Sequence, residues 1–298
     1  MKGSGDSGTP MHAADAAVRT AMQSADALLR RWHSEPDGEP FATSTSVLIP
    51  ARRDGAAVML KIATVAEEAR GNAVMAFWNG RGSARVLEHE AAAVLLERAT
   101  GARSLEALSE AGDATDDEAS RILCRVGSRL HRIPGMPPGG RAAPTELTTW
   151  FRDLFVHASD VGGFYARASA IAQDLLANQR DIVVLHGDLH HGNVLDFGVE
   201  MHPELDGWAA IDPKCLIGDR AFDFTNVLCN PSADVALRPG RLARQLEVIA
   251  HAVALDLVRL TRWTIAWCGL SAAWSARDGD ASSHTLGVGL EAERLLGD

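Results

Sequence analysis

Residues 182–193 read IVVLHGDLHHGN. The first four are apolar, three of them β-branched, as in a short buried strand. The run stops at His186, and the next eight residues, HGDLHHGN, hold three histidines, Asp188 and Asn193. A strand that ends in so many polar groups is presenting them to something. Three chemistries stay open at this point. His186, Asp188, His190 and His191 are candidate metal ligands. Asp188 and Asn193 could serve only to satisfy turn backbone. The third choice is a loop that handles phosphate. The metal reading lacks the alternating H-x-H-x-D-H order, because Asp188 precedes the His190–His191 pair, and His202, His251 and His284 have no ligand spacing.

The whole chain narrows the choice. Its 298 residues suffice for one large domain or two lobes with a true core. Hydrophobic content of 46% and charged content of 23% are ordinary for a globular protein. A net charge of −10 argues against binding nucleic acid through its phosphates and suits a cationic small molecule. Cys124, Cys215, Cys229 and Cys268 show no CxxC spacing and read as buried thiols in a reducing compartment. The first residues, MKGSGDSGTPMHAADAA, hold no apolar signal core. No stretch approaches the roughly 20 apolar residues of a membrane span. The expectation is a soluble cytoplasmic protein, a monomer or weak dimer, with no membrane or nucleic-acid partner.

Upstream of the quoted stretch the pattern divides. Residues 1–12 are Gly/Ser-rich and read as a flexible terminus, and Ala13 to Trp32 has helical spacing. TSTSVLIPARRDGAAVMLKIA, residues 43–63, predicts a hairpin turning at Asp54-Gly55. VAEEARGNAVMAFW predicts a helix with Glu67 and Glu68 in its first turns and Asn79-Gly80 after it. SARVLEHEAAAVLLERATG reads as a strand pair, with a helix over Glu90 to Arg98 as the alternative. From Ser104 the chain turns helical, and Thr115 or Asp116 is expected to cap the second of two helices. The outline is α+β: a small, mostly antiparallel N-lobe over 13–100 and a larger, mainly helical C-lobe over 101–298.

Spacing then favours phosphate chemistry. His186-x-Asp188-x4-Asn193 has the spacing of a phosphotransferase catalytic loop, H-R-D-x-x-x-x-N. In such a loop an Asp takes or orients the proton of the attacking hydroxyl. An Asn five residues on reaches a magnesium ion, which prefers hard oxygen ligands. A second magnesium carboxylate must follow a return strand. Asp196, in a literal Asp-Phe-Gly, comes too soon after Asn193 and reads as a strand or turn residue. Asp212 fits: it lies 19 residues after Asn193, at the end of the apolar strand GWAAI. The two strands should form a hairpin that brings Asn193 and Asp212 together.

VLHGDLHHGNVL, WAAIDPKCLIGDRAFDFTNVLCNP and CGLSAAW together resemble the aminoglycoside phosphotransferase superfamily. FWNGRG and LLERATG resemble its streptomycin 6-kinase and aminoglycoside/hydroxyurea resistance kinase branch. The resemblance runs from about residue 41 to near the C-terminus. It implies a protein-kinase-like two-lobe fold with ATP and Mg²⁺ in the cleft and a cationic aminoglycoside as acceptor; hydroxyurea or an unknown metabolite is the alternative acceptor, and a pseudokinase the remaining one. It implies Asp188 as catalytic base and Asn193 and Asp212 as magnesium ligands. Lys61 would contact the α/β-phosphates and Glu68, or Glu67, would hold Lys61. The backbone of Glu97 to Ala99 would bond adenine, so that side-chain identity there would matter little. Asp223 would brace the catalytic loop and His186 would be structural. One departure stands out: no G-x-G-x-x-G precedes Lys61, and TSTS, residues 43–46, lies in its place. Acceptor contacts are expected from Trp150, Phe151, Asp153, Asp160, Tyr165, Trp267, Trp274 and Asp278.

Overall fold

The computed structural model describes residues 10–137, 143–279 and 283–297. Helix α1, Pro10–Arg31, starts the described chain. It begins three residues before the expected start, with proline at its first position, where the missing N–H costs nothing. The rest of the Gly/Ser-rich stretch lies outside the described residues. Strands β1, Ser46–Arg53, and β2, Ala56–Ala63, form the expected hairpin. Asp54 at φ 51° and Gly55 at φ 80° supply the left-handed pair that a two-residue hairpin turn needs. Helix α2, Ala66–Trp78, ends at Asn79 in the left-handed conformation. Strands β3, Val86–Glu90, and β4, Ala93–Glu97, settle the ambiguous segment as a strand pair. The antiparallel sheet runs β1-β2-β4-β3, with Glu35–Pro36 and Phe41–Ala42 both pairing with β1.

Both faces of this sheet are covered. Ala21, Ala25, Leu29 and Trp32 repeat at helical spacing and pack on Val47, Ile49, Leu60 and Leu95. Val74, Met75 and Trp78 of α2 join Val94 and Leu96 on the other side, continuous with the larger core. That core belongs to the helical lobe. Helices α3, Leu105–Ala111, and α4, Asp113–His131, follow the link from β4. The cap expectation at α4 is corrected. Gly112 is the N-cap, Thr115 lies inside the first turn, and the Asp116 carboxylate instead accepts from Arg241 at 2.9 and 3.0 Å.

Helices α5, Arg152–Val161, and α6, Gly163–Ala177, lead into β5, Ile182–Leu185. Strands β6, Val194–Asp196, and β7, Trp208–Ala210, pair antiparallel with Val194 opposite Ala210. Strand β8, Leu216–Asp219, pairs antiparallel with β5 and parallel with Thr145–Glu146. Helices α7, Arg241–Ala252, α8, Leu257–Arg277, and α9, His284–Gly297, complete the lobe. Among the described residues no helix is long and apolar enough to cross a membrane.

Candidate active site

The opening stretch becomes a braced loop between β5 and β6. Asp223, fully buried, accepts the backbone N–H of His186 at 2.8 Å and of Gly187 at 2.7 Å, and lies 2.7 Å from His131 Nε2. His186 accepts the Asp188 N–H on Nδ1 at 3.3 Å and therefore donates from Nε2 to the Ile211 carbonyl at 2.8 Å. Burial pulls the His186 imidazole below its ordinary pKa, so the ring is a neutral strut. It ties the Asp188 loop to the residue before Asp212 and stacks on Trp78 at 6.1 Å. His190 accepts the Gly192 N–H and caps the 3-10 turn His191–Asn193. Burial, with Arg241 nearby, pushes the His191 pKa down to about 3. Among the described residues no three His, Cys, Asp or Glu converge as a metal-holding group.

The hairpin brings together the oxygens expected of it. The Ile211 N–H donates to the Asn193 carbonyl at 2.9 Å, which sets Asn193 and Asp212 at the converging ends of β6 and β7. Asn193 Nδ2 donates to the Asp188 carbonyl at 2.9 Å and to its carboxylate at 3.3 Å. This leaves Asn193 Oδ1 without a partner among the described residues. Asp188 Oδ1 accepts from Asn226 Nδ2 at 2.8 Å, a partner that the sequence did not disclose.

From the other lobe, register places Lys61 between Leu48 and Val94 on the sheet. Its ammonium is 2.7 Å from Glu68 Oε2 and 2.7 Å from Asp212 Oδ1. Glu68, not Glu67, therefore holds Lys61. Glu68 has a second cation: Lys214 Nζ lies 3.0 Å from its other oxygen. Burial drives the Glu68 carboxyl up, but the two ammoniums outweigh it and keep the group below the usual carboxylate range. Burial likewise pulls the Lys214 pKa down, and Glu68 and its neighbours more than reverse it.

The link between the lobes departs from expectation at Glu97. Its side chain is buried, accepts the Arg85 N–H at 2.6 Å and lies 2.5 Å from His202 Nε2. Its backbone N–H is already given to the Arg85 carbonyl at 3.0 Å. The side chain at position 97 is thus a buried tie, and its identity matters. Ala99 has no backbone partner among the described residues. Beyond it, the Gly101 N–H donates to the Asp196 carbonyl at 2.9 Å. Asp196 takes a bidentate bond from Arg103 at 2.8 and 2.7 Å, which holds its carboxyl pKa down at about 2. A Cβ on residue 101 would fall 2.1 Å from that carboxylate, so glycine is required there.

A cleft of about 960 Å³ opens beside Asp188. Of the expected acceptor residues, Trp150, Asp153, Trp267, Trp274 and Asp278 line it, together with Ser44, Thr45 and Lys214. Trp274 Nε1 donates to Asp153 at 2.9 Å, and Trp150 and Trp267 meet the Trp274 ring edge-on at 5.4 and 5.8 Å. Phe151, Asp160 and Tyr165 lie outside the cleft. Phe151 is core, and Tyr165 packs on His157. The turn over residues 43–45 is pinned by Thr43, whose hydroxyl accepts the Ser46 N–H at 3.0 Å.

A buried pair of a strand lysine and a helix glutamate, facing an Asp/Asn loop and a further Asp across a cleft, defines a phosphotransferase of protein-kinase-like fold. The chain belongs to the aminoglycoside/hydroxyurea antibiotic resistance kinase family, whose model matches residues 31–279. It is 40% identical over 277 residues to a streptomycin 3''-kinase of Klebsiella pneumoniae, covering 90% of this chain and 100% of that one. It is 32% identical over 262 residues to a streptomycin 6-kinase of Streptomyces griseus, covering 84% of this chain and 81% of the relative. Among solved structures, a choline/ethanolamine kinase family protein from Mesorhizobium loti superposes with a TM-score of 0.63 at 16% identity, over 95% of each chain. That likeness shows the fold alone.

Proposed function

We propose that this chain transfers the γ-phosphoryl group of ATP to a hydroxyl of streptomycin or a closely related aminoglycoside. The observation that carries the reading is the large cleft with Asp188 in its wall, lined by Trp150, Trp267 and Trp274 and by both carboxylates (Glu67, Asp153, Asp278) and cations (Arg70, Arg152, Lys214, Arg277). Asp188, held by Asn226 and Asn193, orients the acceptor hydroxyl and receives its proton. Lys61, fixed by Glu68, binds the α/β-phosphates. The backbone at Ala99 meets adenine, with Glu97 buried beneath it to set the strand end. The sheet lobe, to residue 100, holds the nucleotide, and the helical lobe, from 101, holds the acceptor.

The donor set fits magnesium. Asn193 Oδ1 and one Asp212 oxygen have no partner among the described residues, and both are hard oxygens at the ends of one hairpin. Two protein ligands suit an ion that takes its remaining oxygens from phosphates and water. Bound there, Mg²⁺ would neutralise charge on the β- and γ-phosphates.

Hydroxyurea, a molecule of a few heavy atoms, leaves a drug-sized cleft of this volume almost empty. Trp150, Trp274 and Asp153 line the cleft instead; one Asp153 oxygen already accepts from Trp274 and Arg277, and the other is left for a guanidinium-bearing ligand beside the aromatic rings. The higher identity of the 3''-kinase relative favours the 3'' hydroxyl over position 6. Four buried cysteines that form no disulfide support a reducing cytoplasm, where the protein acts as a monomer or weak dimer without membrane or nucleic-acid partners.

The test is Mg²⁺-dependent ADP release with and without streptomycin, for wild type and Asp188→Ala. Streptomycin should stimulate wild type, and the variant should lose about 10²–10⁴-fold in kcat. Mass and NMR analysis of the product assigns the hydroxyl. Wild type that binds ATP but ignores streptomycin would refute the acceptor assignment.

A further inference from the structure

Lys214 lines this cleft with Arg70, Arg152 and Arg277, and it is the one of the four that follows directly on the Asp212 segment. It lies two residues after Asp212, and both its main chain and its side chain are fixed against the catalytic loop. Its N–H donates to the His186 carbonyl at 2.7 Å. Its stem passes over Gly187, where an added Cβ would come within 3.0 Å of Lys214 Cβ and 2.8 Å of Leu216 Cδ1. Gly187, at φ 80°, is the residue before Asp188.

The segment around it is held in an unusual shape. Asp212 at φ 59° and Cys215 at φ 55° are both left-handed without being glycine. Such conformations carry a cost and persist where surrounding structure demands them. Here they bracket Pro213 and Lys214, and Lys214 joins Gly187 and Asp188 in lining the cleft. Its ammonium rests 3.0 Å from Glu68 and 3.7 Å from Glu67. Glu68 thus carries two lysines, one on each oxygen: Lys61 inside the sheet lobe, and Lys214 on the side of the acceptor cleft.

We infer that Lys214 is a catalytic residue that donates to the γ-phosphoryl oxygens, in the manner of a cationic finger supplied in cis. The inference rests on the phosphotransfer reading. In the step, the bond from Pγ to the ADP leaving oxygen breaks and the bond to the acceptor oxygen forms. The acceptor proton passes to Asp188, and Lys214 stays protonated while it neutralises charge on the oxygens in flight. Lys61 serves the α/β-phosphates, so the two lysines divide the triphosphate between them, with Glu68 setting their separation.

Calorimetric binding separates this role from a merely structural one. Mg²⁺·ADP and Mg²⁺ with a non-hydrolysable ATP analogue would be titrated into wild type, Lys214→Met and Lys214→Arg. Lys214→Met should bind ADP within threefold of wild type but lose about tenfold for the triphosphate, and Lys214→Arg should recover most of that loss. Equal weakening of both nucleotides would mean that Lys214 acts only through Glu68 and Lys61, and would overturn the proposal. So would unchanged affinity for both. Kinetics give a second reading, in streptomycin-dependent turnover and in acceptor-free ATP hydrolysis. Both rates should fall about 10²–10³-fold in Lys214→Met, the cost of one such donor. A fall of less than threefold would also sink the idea. Because hydrolysis to water needs no acceptor, this result stands apart from whether streptomycin is the substrate.

Discussion

Gly71→Ala adds one methyl to α2, in a helix where alanine is intrinsically favoured by about 1 kcal/mol. The site makes that methyl costly. A Cβ at residue 71 would lie 2.3 Å from the Pro213 carbonyl oxygen, a backbone atom flanked by Asp212 and Lys214. An ordinary carbon–oxygen contact needs about 3.3 Å, so the helix must retreat by about 1 Å. Glu68 lies one turn earlier on the same face. The retreat lengthens its bonds to Lys61 at 2.7 Å and Lys214 at 3.0 Å beyond hydrogen-bond range. Misplacement by about 1 Å at a catalytic cleft costs on the order of 10²-fold in turnover. Overpacking costs about 1–3 kcal/mol, partly offset by helix propensity, so the net stability loss should be about 0–2 kcal/mol. The expected signature is therefore a large loss of kcat beside a small shift in urea midpoint, measured on the same preparation. A variant more stable than wild type with full turnover would show that α2 does not depend on this contact to place Glu68.

Asp196 offers a pH test. Its folded pKa of about 2 lies below the ordinary carboxylate value of 3.8 because Arg103 binds the ionised form. A depressed carboxylate stabilises the fold above its unfolded pKa, and the contribution disappears as pH falls from about 4 to about 2. Discounted for the half-exposed arginine, it amounts to about 1–2 kcal/mol. Asp196→Asn should therefore be less stable than wild type at pH 6 by that amount, with the gap narrowing in urea titrations as pH falls from about 4 to about 2; a gap independent of pH would refute the assignment. Asp116→Ala strands the buried Arg241 without its bidentate partner. The expected loss is about 3–5 kcal/mol by urea denaturation, and replacing both residues by apolar ones should recover much of it. A loss below 1 kcal/mol in the single variant would show that Arg241 finds another partner.

What the sequence disclosed of the site follows from how each residue is held. Asp188 and Asn193 sit in one short loop, where chemistry fixes the offset, so HGDLHHGN could be read directly. The placement of Asp212 opposite Asn193 is legible because a hairpin needs a strand, a turn and a return before two side chains can face each other. Lys61 and Glu68 came from resemblance, since a strand lysine and a helical glutamate have no local signature. The misses are residues whose partners are remote. Asn226 reaches Asp188 across 38 residues, Lys214 reaches Glu68 across 146, and His202 reaches Glu97 across 105. No periodicity links such pairs. Asp116 looked like a cap because an Asp near a helix start usually is one, and Arg241, 125 residues away, claims it instead.

The route of the chain between its lobes limits how the cleft can open. Arg98 still belongs to the sheet, through its N–H to Ala57 at 3.2 Å, and Gly101 is already fastened to Asp196. Only Ala99 and Thr100 lie between, a tether of at most about 11 Å from one fastened N–H to the next. A second fastening lies nearby: the Ala84 N–H donates to the Ala210 carbonyl at 2.9 Å and the Ala210 N–H to the Gly82 carbonyl at 3.0 Å, joining the turn before β3 to β7. Both fastenings end on the same β6–β7 hairpin. The same hairpin region meets the sheet lobe again where His202 lies against Glu97 and Asp212 against Lys61, so the floor of the cleft is fastened to both lobes at once.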